Sequence, residues 1–89
     1  MKTSEEIRED IGHRIKVRRV ELKLQQKELG ELMGVPQSQI SGWEAGRRAM
    51  RLEQAVMLAA VLQTSVAYLV GETPARALAD TAVEPAKAV

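Results

Sequence analysis

The interruption Gly34-Val35-Pro36 constrains this chain more than any other feature, because apolar residues fall at helical spacing on both sides of it. Leu29, Leu32 and Met33 precede it; Val35, Ile40 and Trp43 lie within or after it. The spacing predicts two short helices joined by a tight turn. Gly34 can take the positive φ that ends the first, and Pro36 has its φ preset and no N–H to leave unpaired where the second begins. Gly30 is small where a side chain would hold the helices apart, and Val35 can tuck between them. The second helix, from about Gln37 to Ala45, presents Gln37, Ser38, Gln39, Ser41 and Gly42 outward. That face is almost uncharged and rich in hydrogen-bonding groups, which suits reading base edges better than building a core.

The flanks read as a brace and a lid. Ile7, Ile11 and Ile15 recur every four residues and Leu22 continues the stripe, predicting an amphipathic first helix with Thr3 or Ser4 as its cap and Glu5, Glu6 and Glu9 near its positive end. After the loop Gly46 to Arg51, the residues Leu52, Ala55, Leu58, Ala59 and Leu62 follow a 3.6-residue period and predict a fourth helix over the motif. Thr64 or Ser65 can cap a short fifth helix whose apolar face is Val66, Leu69 and Val70, with Gly71 ending the run. From Glu72 the chain turns to two prolines, six alanines and few large apolar residues. The expected division is therefore an all-α, five-helix domain over residues 1–71 and a flexible Ala/Pro-rich tail over 72–89.

Charge distribution matters more than the total, because the net charge is only +1. Arg14, Lys16, Arg18, Arg19 and Lys23 crowd the first helix, and Arg47, Arg48 and Arg51 the loop after the motif. Two basic clusters flanking a neutral hydrogen-bonding face fit double-stranded DNA, with ordinary solvated helix charges as the alternative. There is no cysteine, and one histidine, His13, cannot form a metal cluster alone, so no metal or other cofactor is expected. Glu5, Glu9, Glu21 and Glu31 are scattered along solvated helical positions without a pocket to tune them, which argues against an enzyme. The amino terminus is acidic and polar where a signal peptide would need an apolar run, so none is expected, and no stretch has the length of a membrane span. A cytoplasmic, nucleoid-associated protein is expected.

The central stretch resembles the helix-turn-helix of the phage-repressor and Cro-type regulators, the XRE family. That family's pattern is a Gln opening helix 2, a small residue four positions on, Gly in the turn, and Glu-x-Gly at the end of helix 3; here these are Gln26, Gly30, Gly34, and Glu44 with Gly46. Flanking support comes from Gly12-His13-Arg14-Ile15 with Arg19, from Gly46-Arg47-Arg48, and from Tyr68-Leu69-Val70-Gly71. The resemblance spans about Ile11 to Gly71, roughly two thirds of the chain. It implies a lambda-repressor-like fold and a transcriptional regulator; a repressor is expected because no activation or ligand domain is evident, and a homodimer on a palindromic operator because one copy offers too few base contacts to pick out its site. An antitoxin that autoregulates its promoter and holds a toxin through its tail is the alternative.

The resemblance also distributes roles. Gln37, at the start of helix 3, is expected to read a base, since a glutamine amide matches the N6 and N7 edge of adenine; Ser38 and Ser41 would add short contacts. Gly42 leaves empty a position that family members often use for readout. Gln26, Gln39, Arg47 and Arg48 are expected at the sugar-phosphate backbone; Arg18 departs from the family, which more often has an apolar residue there, and is expected either to shift the packing or to add a backbone contact. Arg19 is expected to pair with Glu44, fixing helix 1 on helix 3. Apart from the resemblance, the short fifth helix has more apolar surface than a small domain can cover, so it either completes the core or meets a second copy, and on the second reading Val66, Tyr68 and Leu69 are the expected dimer contacts.

Overall fold

The computed structural model describes residues 1–71, and among these every regular element is helical: α1 (Ser4–Glu21), α2 (Gln26–Met33), α3 (Gln37–Glu44), α4 (Leu52–Val61) and α5 (Val66–Leu69). The expected tail, 72–89, lies outside the described residues.

Local chemistry sets each boundary. Thr3 caps α1: its hydroxyl accepts from the Glu6 N–H (3.1 Å) while its own N–H donates to the Glu6 carboxylate (2.8 Å), satisfying two donors that a helix start leaves open. Gln25, a poorer cap, is compensated in the same way, its N–H donating to Glu28 Oε1 at 2.8 Å. Gly34 ends α2 at φ 71°, the left-handed conformation that glycine adopts without steric cost, and Pro36 caps α3 at φ −63°. Ser65 caps α5 by accepting from the Tyr68 N–H.

The core is Ile15 of α1, Leu29 and Met33 of α2, Ile40 and Trp43 of α3, Leu58 and Ala59 of α4 with Leu62 just beyond, and Leu69 of α5. Trp43 is an anchor of this core, buried on all sides. Three apolar positions depart from the periodic expectation. Leu32 is exposed because Leu29 and Met33 take the inward line of α2 and Leu32 falls about 100° round the helix from Met33. Leu52 shares a line with Ala59 but opens α4 past the end of the core and is 73% exposed. Ile7 is exposed for the same reason at the start of α1, where the neighbouring contact is polar, Arg8 Nε donating to the Gly46 carbonyl at 3.3 Å.

Helix α1 braces α3 through an unusually close approach. A Cβ at Gly12 would lie 2.3 Å from the Trp43 carbonyl oxygen and 2.5 Å from that of Glu44. Only a residue without a side chain lets the two backbones meet there. This contact aligns α1 so that Arg19, two turns further on, reaches Glu44 at the end of α3.

Candidate nucleic-acid interface

The tight turn brings the first residues of α2 and α3 side by side, and a hydrogen-bonded chain runs from the surface into the core edge. At its inner end Arg19 grips Glu44 with two parallel bonds, Nε to Oε2 at 2.6 Å and NH2 to Oε1 at 3.1 Å, with side chains only 11% and 4% exposed. Arg19 NH1 also donates to the Leu24 carbonyl at 2.7 Å, tying the end of α1 to the approach of α2. Gln26 Nε2 then donates to Glu44 Oε1 at 3.0 Å. Because an ionised carboxylate only accepts, this bond sets which end of the Gln26 amide faces inward and turns its oxygen outward. Gln37 Nε2 approaches that oxygen at 3.4 Å. The amide of Gln37 is thereby held at the exposed start of α3, with its own oxygen and its second N–H unengaged by these bonds.

Ser38 is exposed on the same side, while Gln39 and Ser41 are half-buried along α3. Arg47 and Arg48 follow as an exposed pair. Their backbone N–H groups both donate to the Gly42 carbonyl, at 2.9 and 3.2 Å, so this loop offers its side chains rather than its amides to an anion. Gly42 itself is not the open slot expected from the sequence. It is buried because the Arg48 side chain lies across it: a Cβ there would meet Arg48 Cδ at 2.8 Å, Cγ at 2.9 Å and Nε at 3.2 Å.

Two expected site residues are placed elsewhere. Arg18 does not face a phosphate: its Nε donates to the Leu62 carbonyl at 2.8 Å and NH2 to that of Gln63 at 3.3 Å, with NH1 on Glu21. These are the unpaired carbonyls at the negative end of α4, a natural seat for a cation. Leu69, expected at a dimer surface, is 1% exposed and belongs to the core, leaving no surface to offer a partner. Val66 and Tyr68 pack partly against that core and keep some exposure, and Val70 is exposed. The sequence reading also missed an apolar surface: Val56 and Met57, both about half exposed, point away from the core on α4 near Leu52.

Among the described residues no group of His, Cys, Asp and Glu could hold a metal ion, and no helix is long and apolar enough to cross a membrane. What the arrangement offers is an exposed helical edge carrying polar amides, hydroxyls and arginines. An α-helix presented in this way fits the major groove of a duplex. This geometry defines a class, the helix-turn-helix proteins. Residues 15–69 match the family described as Helix-turn-helix (HTH_3), and the chain belongs to it, with a helix-turn-helix of the phage-repressor, XRE type.

Individual relatives agree with that placement. The chain is 39% identical over 59 residues to Repressor protein C2 of Salmonella phage P22, an alignment covering 66% of this chain and 27% of that repressor. The chain thus spans about a quarter of that relative's length. The structure is similar to that of the clp gene regulator ClgR from C. glutamicum (TM-score 0.70, 27% identity, 74% of this chain and 85% of that one). It is also similar to the restriction-modification controller protein C.AhdI from Aeromonas hydrophila (TM-score 0.66, 29% identity, 70% of this chain and 94% of that one).

Proposed function

We propose that this chain is a sequence-specific repressor that binds double-stranded DNA as a homodimer on a palindromic operator, with α3 in the major groove. The observation that carries the reading is the chain of bonds Arg19–Glu44–Gln26–Gln37. An exposed glutamine normally explores many rotamers, and a base contact must then overcome the cost of ordering it. Here the amide is already held at the helix start, oriented to accept from adenine N6 and donate to N7. Gln26 has a second amide hydrogen for a phosphate at the start of α2, where free N–H groups and the helix dipole also favour an anion. Ser38 and Ser41 add short contacts, and Gln39 and Arg47 hold the sugar-phosphate backbone. Repression is supported by the relative named Repressor protein C2.

The dimer follows from energy. A few contacts per copy, each worth about 1 to 3 kcal/mol, discriminate poorly against a genome of competing sites, and two-fold symmetry doubles them. The surface we assign to it is the exposed part of α5 and its end, Val66, Tyr68 and Val70. Two α3 helices would then lie about 34 Å apart on half-sites about 10 base pairs apart. The antitoxin alternative rests on residues 72–89 and gains no support from the described residues.

Selection from a randomised duplex library tests the reading. The wild-type chain is expected to enrich an inverted repeat, Gln37→Ala to lose preference at one base pair per half-site, and Gln26→Ala to bind all sites more weakly with the preference kept. Enrichment of no sequence, with binding that tracks salt alone, would overturn it.

A further inference from the structure

The seat of Arg48 on α3 carries an inference that rests on the DNA-binding reading above and sharpens it. Gly42 lies one helical turn beyond Ser38 on the same line of α3, since residues four apart share a face. That line includes the exposed readout edge. At Gly42 the helix has no side chain of its own, yet the space is filled: Arg48 Cγ, Cδ and Nε all fall within 3.2 Å of where a Cβ would be. The seat is defined at both ends, because the Arg48 N–H donates to the Gly42 carbonyl at 3.2 Å while its stem folds back over the same residue. An arginine reaching for a phosphate from a loop extends away from the recognition helix; this one folds back over it at Gly42. Arg47, exposed in the same loop, keeps the phosphate role.

We infer that Arg48 is a specificity-determining residue, supplying from the loop the base contact that Gly42 lacks, and that its target is a guanine. A guanidinium presents two parallel N–H donors, which match the O6 and N7 acceptors of guanine in the major groove; adenine and the pyrimidines offer no such acceptor pair. The guanine lies on the side of the half-site away from Gln37. Measured from Ser38 it is about 6 Å along α3, close to two base steps. The glycine is then a requirement of the site, since any side chain at 42 evicts Arg48.

The test starts from the site that the wild-type chain enriches and measures affinity on a panel of single-base variants. Arg48→Ala is expected to lose about tenfold on the natural site and to become indifferent to the base at one guanine position per half-site. Arg48→Lys keeps the charge but not the paired donors and is expected to lose the same preference. Gly42→Ala meets only a flexible side chain and replaces glycine by a better helix former, so its melting temperature should not fall, yet it should lose the guanine preference as Arg48→Ala does. Replacing that guanine by 7-deazaguanine should weaken the wild-type chain about tenfold and leave Arg48→Ala unaffected. Equal loss across every base variant, with the preference intact in Arg48→Ala, would make Arg48 a phosphate contact and overturn the inference alone. Enrichment of no site at all would overturn it together with the reading on which it rests.

Discussion

Removing one partner of the Arg19–Glu44 pair tests the internal logic of the site. Glu44 is 4% exposed and accepts three donors, two from Arg19 and one from Gln26. In Arg19→Ala its carboxylate keeps only the Gln26 amide, and the desolvated charge is left without a cation. In Glu44→Ala, Arg19 keeps the Leu24 carbonyl and, at 11% exposure, can turn towards water. Breaking a buried pair on one side costs about 3 to 5 kcal/mol, so Arg19→Ala is expected near the upper end and Glu44→Ala near the lower. The double variant leaves no orphaned charge and should be about 3 kcal/mol less destabilised than the sum of the singles. Small domains hold about 5 to 15 kcal/mol in all, so the single variants belong in a stabilising osmolyte, with urea melts of all four proteins compared at one osmolyte concentration. Additivity of the two losses within about 0.5 kcal/mol would mean that the pair does no coupled work and would refute the reasoning.

Gly12→Ala forces a Cβ against two backbone carbonyls that cannot step aside, and is expected to cost at least about 3 kcal/mol by thermal or urea melting; a neutral result would contradict the close approach of α1 and α3. Tyr68→Glu is expected to shift sedimentation towards the monomer and weaken binding to an inverted repeat while the fold is kept, and Val56→Glu is expected to change neither; the opposite pattern would move the dimer contact to the outward face of α4. The Glu6 carboxyl is held below its ordinary range, first by the Thr3 N–H and then by the Thr3 hydroxyl. Because the folded value is the lower one, its contribution to stability is present above the ordinary carboxylate range and fades as pH falls through the lowered value. Thr3→Ala should move the Glu6 titration upward and flatten the acid limb of the stability profile, as read by side-chain carboxyl NMR; an unmoved titration would contradict the cap.

Much of the fold was legible because its causes are local. Leu29, Met33, Ile40 and Trp43 follow the helical period on either side of Gly34, and that glycine has the left-handed φ that its place between two apolar runs predicts. Period alone names the inward face but not how far the core extends along it, which is why Ile7 and Leu52 were expected inside and lie outside. Helix α5 has four residues, too few for a period to separate core from surface, and Leu69 fell on the wrong side of that choice. In the candidate site, the place of Gln37 at the exposed start of α3 was legible from Pro36 just before it. The seats of Arg18 on Leu62 and of Arg48 on Gly42 were not, since neither spacing nor composition brings residues 44 positions apart together or bends a loop side chain back onto a helix. A glycine on the recognition face followed six residues later by arginine was the only trace of the second.

The most direct measurement of the central claim is an NMR titration of the chain with the duplex it enriches, following backbone amides and the glutamine side-chain NH2 groups. The largest changes are expected at Gln26, Gln37, Ser38, Ser41, Arg47 and Arg48, with intermolecular contacts from the Gln37 amide to an adenine in the major groove and little change at Val56 and Met57. Changes centred on α4, with the resonances of Gln37 and Ser38 unmoved at saturation, would contradict that claim.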